Sequence, residues 1–248
     1  MCGRYASSRR PEDLIEEFEI ESPRVEEALA PDYNVAPTKE VYAVMERPPS
    51  QDRSLPAERQ LRVLRWGLIP SWAKDPAIGS RMINARMESV ADKPAYRRAF
   101  ASRRCLLPAD GYFEWYPTSQ LTKAGKPVKQ PFFIHPTDGG SLAMAGLYEI
   151  WKDPTREEGD PLQFRWTCTV LTTEAEDDLG HIHDRMPLMV APDQWAGWLD
   201  PTVSGRDDLL ALLTPAAPGR LEAFPVATLV NNVRNNGPEL IEPLPAER

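Results

Sequence analysis

Arg104-Cys-Leu-Leu-Pro-Ala-Asp-Gly-Tyr-Phe-Glu-Trp-Tyr-Pro117 is the stretch whose reading decides the fold. Its two apolar runs, 105–107 and 112–116, are too short for helices and are parted by Pro108 and Asp110-Gly111, which predicts strand, turn, strand. The same punctuation recurs outward in both directions. A turn at 33–38 enters a strand over 41–45, residues 46–60 with Pro48, Pro49 and Pro56 read as a polar loop, and 61–69 alternates as a strand. Further strands are predicted over 131–135, 142–149, 164–172, 186–191 and 224–230. Helices are few and short. Residues 11–18 place Pro11 in the first turn, acids near the N-terminus, and Leu14, Ile15 and Phe18 on one face. Others are predicted around 97–100, 192–199 and 206–213. The 26 prolines among 248 residues, about twice ordinary usage, argue against long helices and against a repeated strand–helix parallel architecture. No internal repeat or dividing linker is visible. The expectation is an α+β fold, one compact domain over 1–248, with a mostly antiparallel, barrel-like β core and flanking short helices.

Composition sets the outer limits. Hydrophobic residues make up 42% and charged residues 27%, which excludes a disordered chain. No run of 18 apolar residues and no hydrophobic leader occurs, so a cytoplasmic protein with no membrane partner is expected. Cys2, Cys105 and Cys168 are too scattered for a disulfide framework or a cysteine-rich zinc site, and with three histidines in all, neither metal nor cofactor is expected.

The net charge of −8 hides a segregation. Between 62 and 104, Arg62, Arg65, Lys74, Arg81, Arg86, Lys93, Arg97, Arg98, Arg103 and Arg104 face only Asp75, Glu88 and Asp92, a local +7 that leaves −15 on the remainder. Trp66, Trp72, Tyr96 and Phe100 are interleaved. Such a segment either tracks a phosphate backbone and stacks bases, or consists of core aromatics under a solvated basic face.

Four places carry chemistry. Removal of the initiator methionine leaves Cys2 with an α-amine of pKa roughly 7.7–8 beside a thiol of roughly 8.5. This 1,2-aminothiol condenses with an aldehyde to an imine, and the thiol then closes a thiazolidine; the alternative is a frayed terminus. Glu114, within an aromatic strand, is suited to acid–base work if buried and is a plain surface carboxylate if it points outward. His181-Ile-His183 puts both rings on one face of a strand, better suited to proton transfer than to a metal that lacks further imidazoles. Asn84-Ala-Arg86 offers an amide and a phosphate-binding fork.

Taken in order, several segments resemble the SOS response-associated peptidase (SRAP) family. They are Met1-Cys-Gly-Arg-Tyr-Ala6, Tyr33-Asn-Val-Ala-Pro37, Trp66-Gly-Leu-Ile-Pro-Ser-Trp72, Ile83-Asn-Ala-Arg86, Arg104-Cys-Leu-Leu-Pro108, Gly111-Tyr-Phe-Glu-Trp115, Leu171-Thr-Thr173, His183-Asp-Arg-Met-Pro187 and Val230-Asn-Asn-Val-Arg234. The resemblance implies a sensor of abasic sites in single-stranded DNA that crosslinks covalently to the lesion and shields it. It implies Cys2 as nucleophile, Asn84 positioning the opened deoxyribose, Glu114 as general acid–base and His183 as the proton-transfer histidine. Arg4, Arg86 and Arg185 would hold phosphates, and Pro37, Trp72, Trp115 and Thr172 would line the DNA path. It further implies a monomer, nucleoid-associated when bound to DNA, with replication or repair proteins as possible partners. The alternatives are a cysteine peptidase acting mainly to remove Met1, and a non-covalent single-strand-binding module.

Overall fold

The computed structural model describes residues 2–49, 52, 54–175, 177–213 and 219–245. The strands are β1 Tyr5–Ser7, β2 Asp32–Val35, β3 Glu40–Arg47, β4 Glu58–Trp66, β5 Asn84–Arg86, β6 Arg104–Ala109, β7 Gly111–Leu121, β8 Pro127–Pro136, β9 Leu142–Lys152, β10 Phe164–Glu174, β11 Arg185–Pro187 and β12 Leu221–Pro225. The helices are short: α1 Pro11–Glu17, α2 Met87–Val90, α3 Arg97–Ser102, α4 Asp177–Gly180, α5 Trp195–Leu199 and α6 Arg206–Ala211. The chain is α+β and mostly antiparallel, as its proline-punctuated runs predict.

Five strands close a barrel. β3 pairs with β4 and with β6, β6 with β9, and β9 with β10, all antiparallel; a parallel pairing of β10 with β4 completes the ring. Closure removes the open edges that a sheet this small otherwise exposes. Strand alternation divides the barrel residues into two sets. Val41, Ala43 and Met45 of β3, Leu64 and Trp66 of β4, Cys105 and Leu107 of β6, and Cys168 and Val170 of β10 fill the interior. Val44, Leu106, Ala145, Leu147 and Leu171 face outward, against Leu14 and Phe18 at α1, Phe100 of α3 and Trp198 of α5. Helix α1 begins on Pro11 with Glu12 and Asp13 in its first turn, and the Phe18 ring at its end stacks on Trp195 at 4.6 Å. A second sheet, ordered β12-β8-β7-β1-β2, packs Tyr5, Val35, Tyr112 and Ile134 into the same cluster as the barrel interior.

A strand exchange along β10 sets the position of Asn84 and Arg86. β4 borders β10 only as far as Trp66, opposite Cys168, and β5 then takes over the same strand in parallel, with Asn84 opposite Val170 and Arg86 opposite Thr172. The exchange turns on Gly67, whose φ of 129° and close approach to the Gly79 carbonyl leave no room for a β-carbon, which would lie 2.6 Å from that oxygen.

Three expectations need correcting. The stretch 224–230 is a strand only at its start: β12 ends at Pro225 because Pro131 of β8, which accepts from the Val226 amide at 3.0 Å, has no N–H to return the bond, so the Val226 carbonyl takes Gln130 Nε2 instead, and Thr228–Asn231 forms a 3-10 turn. The strand expected over 186–191 ends at Pro187 because the chain there leaves β10 for β9: the Leu188 amide still bonds the Leu171 carbonyl, but the Leu188 carbonyl accepts from Ala145 and the Val190 amide bonds the Ala143 carbonyl. The loop expected over 46–60 is shorter, because β3 runs on to Arg47 and β4 starts at Glu58. Replacing Gly67 with alanine combines backbone strain with a backbone clash, and should lower stability by at least about 2 kcal/mol. Urea denaturation checks this, and an unchanged midpoint refutes the assignment.

Candidate functional site

The N-terminal strand carries Cys2 into the second sheet. Tyr5 pairs with Tyr112, and the Phe113 amide donates to the Arg4 carbonyl at 2.9 Å, which brings the start of the chain alongside Glu114. Cys2 has no solvent exposure and packs into the barrel cluster. Burial, and then the charge of Glu114, push its thiol well above the ordinary range. Its carbonyl accepts a 2.6 Å bond from Asn84 Nδ2. Asn84 is fixed in turn by the β5–β10 register and by Tyr96, whose hydroxyl donates to the Asn84 carbonyl at 3.2 Å. Asn84 Oδ1 is buried and has no hydrogen-bond partner among the described residues. A buried acceptor left open costs on the order of 1–3 kcal/mol, so its presence beside Cys2 marks a place where a donor is expected.

Glu114 lies on β7 and is almost fully buried. Desolvation raises its pKa, the charge of His183 opposes the rise, and Asp184 adds to it. Cys2, Glu114 and His183 are thus electrostatically linked. His183 Nδ1 accepts from the Arg185 amide at 3.0 Å and also lies 2.9 Å from Asp184 Oδ1. The first contact needs a bare Nδ1 and the second a protonated one, so either protonation state finds a partner.

The residues expected along a DNA path fall into two groups. Arg86 is exposed at the end of β5, and Trp72, 56% exposed, stands on the loop after β4. Pro37 is half-buried beside Thr38, whose φ of 75° is strained for a β-branched residue. The others are already engaged. Arg4 Nη1 donates to Asn34 Oδ1 at 2.7 Å and to the Val230 carbonyl at 2.9 Å, and its guanidinium lies 5.7 Å from the centre of the Trp115 ring. Trp115 Nε1 donates to Asn231 Oδ1 at 2.6 Å. Arg185 makes a two-pronged bond to Glu88, at 2.6 and 3.0 Å, and donates to the Thr172 carbonyl. Thr172 has no exposure, so it supports Arg185 from beneath.

The basic segment does not act as one surface. Trp66, Tyr96 and Phe100 are core, and Arg104 is buried, donating to the carbonyls of Trp198, Phe100, Ala101, Asp200 and Val203. The two rings of His181-Ile-His183 do not share a strand face either. They sit in the turn between α4 and β11, with His181 exposed and its ring 6.3 Å from Tyr116.

One organising residue escaped sequence reasoning. Asn34 is fully buried; it accepts from Arg4 and its Nδ2 donates to the carbonyls of Val230, Asn232 and Asn235. It therefore ties the segment 230–235 over β1 and β2. The only signal for it was its place inside one motif, Tyr33–Pro37, with two of its partners in another, Val230–Arg234.

Residues 1–233 match the family model described as SOS response associated peptidase (SRAP). The chain is 40% identical over 242 residues to the abasic site processing protein YoqW of Bacillus subtilis, covering 98% of this chain and 99% of that one. It is 33% identical to the abasic site processing protein YedK of Escherichia coli, covering 98% and 100%. A crystal structure of a protein from Bacteroides thetaiotaomicron superposes with a TM-score of 0.80 over 98% of this chain and all of the other; at 22% identity this is a likeness of fold.

The burial of Glu114 carries a stability cost with a definite sign. Its raised pKa means that the protonated form favours folding. That contribution is fully present below the unfolded value of about 4.3 and is lost as pH rises through the raised folded value. Glu114→Gln should therefore raise the midpoint of thermal unfolding at pH 7–8 by about 2–4 °C, with the advantage vanishing near pH 4. Thermal melts across pH test this; an equal gain at both pH values counts against it.

Proposed function

Since this chain belongs to the SOS response associated peptidase (SRAP) family, we propose that it captures abasic sites in single-stranded DNA through a covalent bond to Cys2. The observation that carries the reading is the buried Asn84 amide, which grips the Cys2 carbonyl with one end and leaves an open acceptor at the other. The names of the relatives, abasic site processing proteins, point to the same lesion.

The chemistry begins once residue 1 is removed and Cys2 bears a free amine. An abasic deoxyribose is mostly a closed hemiacetal, and Glu114, whose hold on its proton is strengthened by burial, is suited to assist its opening to the aldehyde. The amine adds to the aldehyde carbon, and loss of one water gives the imine. The thiol then adds across the C=N bond, its proton passing to nitrogen, and closes the thiazolidine. A buried, protonated thiol suits this order, with the amine acting first. Asn84 Oδ1 is placed to accept from a hydroxyl of the opened sugar, and His183 to carry protons between water and the imine. Positioning the aldehyde beside a fixed aminothiol supplies effective concentration, and a missing base lowers the cost of presenting the sugar. Arg86 and Trp72 are exposed to meet phosphate and base. Arg185 can hold a phosphate only by exchanging its Glu88 partner.

A cysteine peptidase that removes Met1 needs a Cys2 thiolate, which burial and the Glu114 charge both oppose. A non-covalent binding module has no use for the Cys2–Asn84–Glu114 arrangement. Incubation of the mature chain with an abasic single strand should give a crosslink that survives heat and denaturant. Cys2→Ala should abolish the heat-stable product, and an equally stable crosslink from that variant sinks the thiazolidine. Glu114→Gln should slow crosslinking by about 10²-fold, measured by single-turnover gel assay, whereas an unchanged rate removes its role. If instead only salt-sensitive binding is seen, the non-covalent module stands.

A further inference from the structure

The barrel has two mouths. At one, β1 and β5 bring Cys2 and Asn84 up to the C-terminal half of β10. At the other lie the end of β3, the start of β4, the end of β9 and the start of β10. Along β10 the two are separated by the four steps from Trp166 to Val170, roughly 13 Å.

This second mouth is basic. By the alternation that puts Met45, Leu64 and Cys168 inside, Arg47, Arg62 and Trp166 point to the same side of their strands. The two guanidiniums lie 4.9 and 4.5 Å from the centre of the Trp166 ring, and Tyr148 stacks on that ring at 5.9 Å. Arg24 lies alongside, bridged to Arg62 through the backbone. Of the nearby carboxylates, Glu149 pairs with Arg103 at 2.5 Å, and Glu58, opposite Arg47 on the ladder, lies 3.8 Å from Arg24 with its Oε2 buried and making no hydrogen bond. Among the described residues neither Arg47 nor Arg62 has an ion-pair partner, and Arg47 Nη1 is buried without a hydrogen-bond acceptor. Buried Gln60 pins both, accepting from Arg62 Nε at 2.9 Å and donating to the Arg47 carbonyl at 3.3 Å. Burial and then the charges of Arg47 and Arg24 press the Arg62 pKa downward. Two like charges are thus held together over one ring with a donor left open, an arrangement that costs energy until an anion enters.

We propose that Arg47 and Arg62, held over Trp166, form a second site that takes a phosphate group, carried either by a free nucleotide or by a nucleic-acid backbone. The guanidinium forks match a phosphate geometrically, and the indole, stacked on Tyr148, holds both of them in place to meet it. The site needs neither Cys2 nor a lesion, so it stands or falls apart from covalent capture.

The test uses the full chain and lesion-free probes: inorganic phosphate, deoxyadenosine 5′-monophosphate and a ten-nucleotide thymidine strand. Isothermal titration should show saturable binding of the phosphate group, weakened at least about tenfold by Arg47→Gln and by Arg62→Gln. Arg62→Lys, which keeps a cation on the ring and guards against a folding artefact, should recover only part of the affinity. Mononucleotide binding that the strand does not displace assigns a free nucleotide. Displacement by the strand, lost in both glutamine variants, assigns the backbone. Absence of saturable binding for all three probes, or equal affinity in wild type and both glutamine variants, overturns the proposal.

Discussion

Strand β10 must satisfy hydrogen bonds along both edges, and the rest of the structure depends on how it does so. It pairs with four strands: β9 and β11 antiparallel, β4 and β5 parallel. The β9 and β4 pairings close the barrel. The β5 and β11 pairings carry Asn84, Arg86 and the approach to His183 to the same end of one strand. An unpaired buried amide or carbonyl on β10 costs about as much as a lost hydrogen bond, so the site's geometry is set by backbone requirements before any side chain contributes. Its stiffness comes from the same source. The lumen of a barrel this narrow is filled by side chains, and Trp66 and Cys168 in that filling leave Cys2 and Asn84 little room to shift.

Much of the fold was legible because proline and turn residues punctuate the chain where strands end. The turn between β6 and β7 was readable from Asp110-Gly111, and α1 from Pro11 and its spaced apolar residues. The misreadings have local causes. Ala227-Thr-Leu-Val230 is apolar enough for a strand, yet Pro131 of the neighbouring β8 cannot continue the ladder and Leu229 turns outward in a 3-10 turn. A count of basic residues carries no direction, so it placed Arg104 beside Arg86 although one caps buried carbonyls and the other meets solvent.

The candidate site was legible only as a set of residue types. Cys2, Asn84, Glu114 and His183 lie far apart in sequence, and nothing in spacing or periodicity joins them; their ordered motifs do. What the motifs could not convey is occupancy. Arg4, Arg185 and Trp115 already hold Asn34, Glu88 and Asn231, so their bonds give the site its walls as well as any contact to a ligand. Asn34 was invisible as an organiser because its partners are backbone carbonyls some two hundred residues away. A carbonyl leaves no mark in a sequence.

The tie from Asn34 to residues 230–235 also sets a timetable. During synthesis Cys2 leaves the ribosome well before Asn84, the β7 residues near Tyr112 and the segment 230–235. At about 5–20 residues per second, the interval before residue 235 appears is on the order of 10–50 s. Early in it, before β2 and β7 have emerged, β1 is an unpaired strand and Cys2 is open to solvent. In the finished fold Cys2 packs into the barrel cluster and has no contact with solvent. Any trimming of residue 1 therefore competes with folding, because it needs Cys2 uncovered.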